Sequence, residues 1–157
     1  FSALDPLIRT DMQDILLELQ QELHKTIVFI THDLDEALRI GDTIAILRDG
    51  AVIQQGDPQD IIMHPADDYI VDFIQDINRG RVIKLKTLMD KGVSVEGPSL
   101  DQNMNLEEAL QEVANSPARA ANVIDGEGAT IGSISLDQVI AGLSRPDVET
   151  NPEARYR

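Results

Sequence analysis

Three places in this chain hold side chains whose type and setting could do chemistry. His32 stands between Thr31 and Asp33, directly behind the apolar run Thr26-Ile27-Val28-Phe29-Ile30. A ring nitrogen at the end of a buried parallel strand is well placed to meet a ligand, because such sheets present their ligand contacts at the carboxyl ends of their strands. The same position also suits a residue that merely enters the next helix. Ser2 and Asp5 belong to Ser2-Ala3-Leu4-Asp5-Pro6, which by itself reads as a helix start. Gly132, Ser135 and Asp137 fall in Ile131-Gly132-Ser133-Ile134-Ser135-Leu136-Asp137. They could contact a small ligand, or Gly132 could serve close packing and Asp137 could cap a helix. Cysteine is absent, so neither a disulfide nor a thiolate metal site is available, and no metal ligand set is assigned.

The elements that must position these residues follow from periodicity. Asp5 before Pro6 is an N-cap followed by proline at the first helical position, and Ile8, Met12, Ile15, Leu16, Leu19 and Leu23 recur at helical spacing, which predicts a helix over 6–23. Thr26 to Ile30 lacks alternation, the pattern of a strand buried on both faces of a largely parallel sheet. A short helix over 34–40 and an apolar strand over 43–47 complete an α/β order. Asp49-Gly50 between two apolar runs predicts a hairpin, because both turn positions favour positive φ. Helices follow from Asp57-Pro58 to His64-Pro65 and over 67–77, and Asn78-Arg79-Gly80 then breaks the pattern. Beyond it come a helix capped by Asn105 with Glu108 three residues on, strands over 121–124 and 130–135, and a helix over 136–143.

Charge separates the two parts. The net charge is −15; residues 1–77 hold 16 acidic and 4 basic side chains, and 78–157 hold 12 and 9. So acidic a first part repels phosphate backbones, which argues against nucleic acid as a partner. Arg79, Arg81, Lys84, Lys86 and Lys91 cluster at the junction, where they read either as a solvated linker or as a patch for an anionic lipid surface.

Taken together and in order, these pieces resemble the ATPase subunits of ABC importers. Ser2-Ala3-Leu4-Asp5-Pro6 is similar to their D-loop, Thr31-His32-Asp33 to their switch histidine, and Asp49 to Pro58 to the hairpin that follows it. The resemblance implies that His32 contacts the γ-phosphate and orients the attacking water, in a reaction that depends on positioning more than on reactivity. It implies that Ser2 and Asp5 lie between two such subunits. No G-x-x-x-x-G-K-[ST] phosphate loop, signature or Walker B sequence is present, so the chain reads as a piece of a longer protein starting behind Walker B and inactive by itself.

The C-terminal segment resembles a single CBS motif, a type that works in pairs and often binds adenosine ligands. In that pattern Ser135 stands where expected, whereas Asp137 arrives one residue early and Gln138 takes its place. An ABC ATPase with a CBS tail is similar to the glycine betaine and proline importers. The expected fold is therefore α/β: the C-terminal part of a RecA-like ATPase domain over 1–77, a small α+β CBS-like domain over 78–144, and a disordered tail over 145–157. The expected setting is a cytoplasmic homodimer on the inner membrane face, beneath a permease served indirectly by a substrate-binding protein. ATP and Mg²⁺ would be the parent's cofactors, and an adenine nucleotide the CBS ligand. Two alternatives stay open: a non-enzymatic regulatory or dimerisation module sensing nucleotide or ionic strength, and a sugar or polyamine importer ATPase, whose tail would read as many short strands.

Overall fold

A computed structural model describes residues 5–144. Its first helix, α1 (Pro6–Leu23), has the predicted bounds. It opens with the Arg9 amide donating to the Asp5 carbonyl at 2.8 Å and closes at His24, whose φ of 50° stops the helical path. Which face it buries is not as the periodicity implies. Ile8, Ile15, Leu19 and Leu23 are exposed, and the residue packed away is Gln13.

Residues 25–30 form no strand, contrary to the expectation of a fully buried one. Val28 and Ile30 are 85% and 91% exposed. The reason is a matter of neighbours: a central strand needs backbone partners on both edges, and neither described sheet runs beside this segment. The chain passes it without regular structure and enters α2 (Leu34–Ile40).

After α2 comes the antiparallel pair β1 (Ile44–Arg48) and β2 (Ala51–Gly56). Asp49 (φ 52°) and Gly50 (φ 79°) make its turn, as the Asp-Gly pair predicts. Ile44 and Ile46 point inward, and the chain continues through α3 (Pro58–Met63), capped by Asp57, and α4 (Asp68–Ile74), capped by Asp67.

Asn78-Arg79-Gly80 does not break the chain into a linker. It starts α5 (Arg79–Val82), which is followed by α6 (Leu85–Leu88). Ile83 and Leu85 are fully buried, so the segment is held by the core on both sides of it. A four-stranded sheet follows, in the order β3 (Asp90–Lys91), β6 (Thr130–Ser135), β5 (Ala120–Ile124), β4 (Ser99–Asp101), with β4 and β5 parallel and the other pairs antiparallel. The sequence pattern misses β3 and β4, which at two and three residues are too short to show a period. Helices α7 (Leu106–Asn115) and α8 (Leu136–Leu143) pack on the sheet, and α7 carries the predicted capping box of Asn105 and Glu108. The buried apolar residues form one continuous cluster from Leu34 through Ile61, Ile62 and Ile83 to Val139. No described helix is long and apolar enough to cross a membrane.

Candidate functional site

His32 sits in a bend between the irregular segment 25–30 and α2, exposed and without a hydrogen bond to a described residue. The residues on either side of it are fixed. The Thr31 hydroxyl donates to Glu36 Oε2 at 2.6 Å and accepts from the Asp33 amide at 3.0 Å. Asp33 Oδ1 accepts from the amides of Asp35 (3.0 Å) and Glu36 (3.4 Å), an N-cap that satisfies two of the free donors at the start of α2. The bend therefore has locked shoulders and a free ring, which suits a group meant to reach a ligand beyond the chain.

Glu36 ties this bend to α1. It is 7% exposed, and its Oε1 accepts from Gln13 Nε2 at 3.4 Å and lies 3.7 Å from Arg9 Nε, within ion-pair range but too far for a hydrogen bond. Arg9 also reaches Asp33 Oδ2 at 3.5 Å, and Arg39 pairs with Asp14 at 2.7 Å. These side chains line an open hollow of about 230 Å³ between α1 and α2. Loss of solvation, with the Asp33 charge adding to it, holds the Asp35 carboxyl above the ordinary aspartate range. Sequence reasoning missed Arg9, Gln13 and Glu36. Their signal was a polar pair four residues apart in α1 and a glutamate three residues after a cap, neither of which announces a partner.

Of the two residues assigned to the D-loop, Asp5 is exposed at the head of α1, and Ser2 lies outside the described residues. The proposed tail over 145–157 lies outside them as well.

In the C-terminal unit the three candidate ligand residues do not converge on a cavity. Gly132 is buried in β6, where an added β-carbon would come within 2.5 Å of the Asp90 carbonyl oxygen. Ser135 caps α8 through a capping box with Gln138, its Oγ accepting from the Gln138 amide at 3.3 Å. Asp137 does not cap the helix; it stands exposed in the first turn. The hollow in this unit is elsewhere, about 400 Å³ beside Glu96, Gly97, Pro117 and Ala118. The loop on its rim is held by buried Asn122, which accepts from Ser94 Oγ and the Val95 amide and donates to the Val95 carbonyl.

The basic cluster is not a solvated linker. Arg79 is half-buried and donates to the carbonyls of Gly142 (3.2 Å) and Ile62 (3.3 Å), one at the end of α8 and the other at the end of α3. Gln59 of α3 also grips this segment, donating to the Val82 carbonyl and accepting from the Lys84 amide and the Thr87 hydroxyl. Arg81 pairs with Glu107 at the surface.

Comparison with known proteins gives these sites a context. No protein-family model matches the chain. A glycine betaine/carnitine transport ATP-binding protein of Listeria monocytogenes is 60% identical over 89 residues, 57% of this chain and 22% of that protein. A glycine betaine transport ATP-binding protein of Bacillus subtilis is 38% identical over 164 residues, 99% of this chain and 38% of its own length. The glycine betaine/proline betaine transport system ATP-binding protein of Salmonella typhimurium is 40% identical over 148 residues, 92% of this chain and 36% of that protein. This chain is homologous to the ATP-binding subunits of glycine betaine-type ABC transporters. The chain spans between 22% and 38% of the length of these three curated relatives. Because the Bacillus subtilis match takes in 99% of the homologue, it includes both the His32 bend and the C-terminal unit. Among solved structures, a CBS-pair protein from Arabidopsis thaliana aligns over 69% of this chain and 74% of its own (TM-score 0.27, 15% identity). The CBS-pair domain of a putative Mg²⁺ transporter from Shewanella oneidensis aligns over 80% and 57% (TM-score 0.28, 17% identity).

Proposed function

We propose that this protein is part of the ATP-hydrolysing subunit of an ABC importer for osmoprotectants of the glycine betaine and proline class. The observation that carries the reading is a homology, at 38% identity over 99% of the chain, that includes the capped bend presenting His32. In this role His32 would hydrogen-bond the γ-phosphate of ATP and help orient the attacking water; ATP bound with Mg²⁺ supplies the transferred phosphoryl group. Asp5, at the head of α1, and Ser2 would meet the second subunit of a homodimer. The dimer would lie on the cytoplasmic face of the membrane, beneath a permease fed by a substrate-binding protein. The apolar face of α1 and residues 25–30 would then be covered by the remainder of a RecA-like ATPase domain, which explains why they face solvent here.

The C-terminal unit over 78–144 is read as a CBS-like regulatory domain, with four helices, two of them single turns, and one four-stranded sheet where a sugar or polyamine importer would carry many short strands. An adenine nucleotide is the ligand class to try, bound where two such units meet. The His32 role is tested by ATP hydrolysis in the full-length subunit, where His32→Ala is expected to cut turnover at least about a hundredfold through loss of transition-state stabilisation. Unchanged turnover would refute it. The chain of 157 residues alone is expected neither to hydrolyse ATP nor to bind it at micromolar concentration. Hydrolysis by this chain that is lost with His32→Ala would overturn that expectation.

A further inference from the structure

We propose that Glu36 is a positioning residue for His32 and that, through Arg9 and Gln13, it makes α1 and the histidine bend move as one body. The inference rests on the ATPase reading above, and the geometry that carries it is local. Glu36 Oε2 takes the Thr31 hydroxyl proton at 2.6 Å, and that same hydroxyl oxygen accepts from the Asp33 amide at 3.0 Å. One carboxylate oxygen thus fixes the side chain before His32 and, through it, the backbone just after it. The other oxygen faces α1, with Gln13 Nε2 at 3.4 Å and Arg9 Nε at 3.7 Å. Arg9 separately holds the Asp33 carboxylate at 3.5 Å.

The chemistry explains why a carboxylate occupies a position this buried. Burying a charge is costly unless it is paired and hydrogen-bonded, and a leucine would pack the α1–α2 contact without that cost. Only an acceptor with two oxygens can take donors from α1 on one side and from the bend on the other. Ile8, Ile15 and Leu19 of α1 stay exposed and add no packing to this contact. The coupling of α1 to the bend is therefore polar and directional, which fixes an angle as well as a distance. Asp5 heads the same helix, so a displacement at that end is delivered to His32 as a rigid-body movement rather than absorbed by a soft apolar contact. Arg9 Nε, buried and without a hydrogen-bond partner, is placed to close onto Glu36 when that movement occurs.

A misplacement of about 1 Å at a catalytic group can cost about a hundredfold in rate. In the full-length subunit, Glu36→Ala is therefore expected to lower kcat at least about tenfold while leaving KM for ATP within about twofold, the pattern of a lost transition-state contact. Thr31→Val removes the link between Glu36 and the bend, and with it the acceptor of the Asp33 amide, but leaves both α1 contacts of Glu36 in place. It should show the same split, and it keeps the idea open to refutation should Glu36→Ala fail to fold. The deciding readout is a double-mutant cycle. If Thr31 and Glu36 act through His32, neither substitution lowers kcat further once His32→Ala is present. Losses that add to that of His32→Ala would overturn the proposal, as would a Thr31→Val kcat within about twofold of wild type where His32→Ala costs more than tenfold. If His32→Ala leaves kcat unchanged, the ATPase reading falls, and the positioning role falls with it.

Discussion

Arg79→Met tests whether the two parts of the chain are fastened together or merely adjacent. The guanidinium donates to Ile62 and Gly142, carbonyls in the last turns of α3 and α8 that have no continuing helix to receive them. It also places positive charge at two helix C-termini, where the backbone dipoles favour a cation. Burial holds its pKa below the usual arginine value, so the charge is maintained at some expense. Methionine keeps much of the apolar stem and removes the charge and all donors. Leaving two carbonyls unmatched costs about 1–3 kcal/mol each, reduced by access of water and by relief of the guanidinium's desolvation, for a net of about 2–3 kcal/mol. For a chain of this size that is a fall in Tm of about 5–10 °C. Arg79→Lys, which lacks the planar fork, should recover only part of the loss. Urea unfolding followed by circular dichroism measures the difference, and hydrogen exchange locates it: amides near the ends of α3 and α8 should both lose protection. A loss below about 0.5 kcal/mol, or exchange that quickens in α8 alone, would refute the fastening argument.

Three further outcomes follow from single contacts. Gly132→Ala would drive a β-carbon into the Asp90 carbonyl and should cost about 1–3 kcal/mol, read as a lower urea midpoint at unchanged m; an unchanged midpoint would mean that β3 yields. The Asp35 carboxyl has a raised folded-state pKa, so the folded state binds its proton more tightly than the unfolded chain does. Its ionisation therefore works against folding above that pKa, and Asp35→Asn should be more stable than wild type at pH 7, with the gap closing as the pH falls to the ordinary aspartate value. Equal stability at pH 7 would remove that penalty from the account. For lipid binding, Arg79 and Arg81 are engaged within the chain, leaving Lys84, Lys86 and Lys91 at about 1 kcal/mol each against a net charge of −15. Cosedimentation with anionic vesicles at physiological salt should therefore be absent, and binding that salt weakens would restore the lipid-surface reading.

What the sequence made legible was whatever is encoded within a few residues. Asp57 and Asn105 cap helices because a short polar side chain precedes an apolar period, and Asp49-Gly50 turns because both positions tolerate positive φ. The candidate site was only half legible. His32 was located by its place behind an apolar run, but the α1 residues that hold Glu36 of its bend, Arg9 and Gln13, lie more than twenty residues away in sequence. No local pattern carries a contact of that span. The cluster at 79–91 misled for the same reason. Charge density alone suggests solvent, and the orphan carbonyls of α3 and α8 that receive Arg79 become visible only once both helices are placed.

The opposite error, over 25–30, is the most informative. The pattern there describes a strand enclosed on both sides, and the apolar stripe of α1 describes a helix laid on such a sheet, yet Val28, Ile30, Ile15 and Leu19 all face solvent. Apolar patterning reports which residues are suited to burial, and among the described residues nothing covers these. The Glu36 contact persists without that environment because it is made of polar groups with partners inside the chain. The His32 bend can thus keep its shape while the apolar residues around it, Val28, Ile30, Ile15 and Leu19, stay exposed.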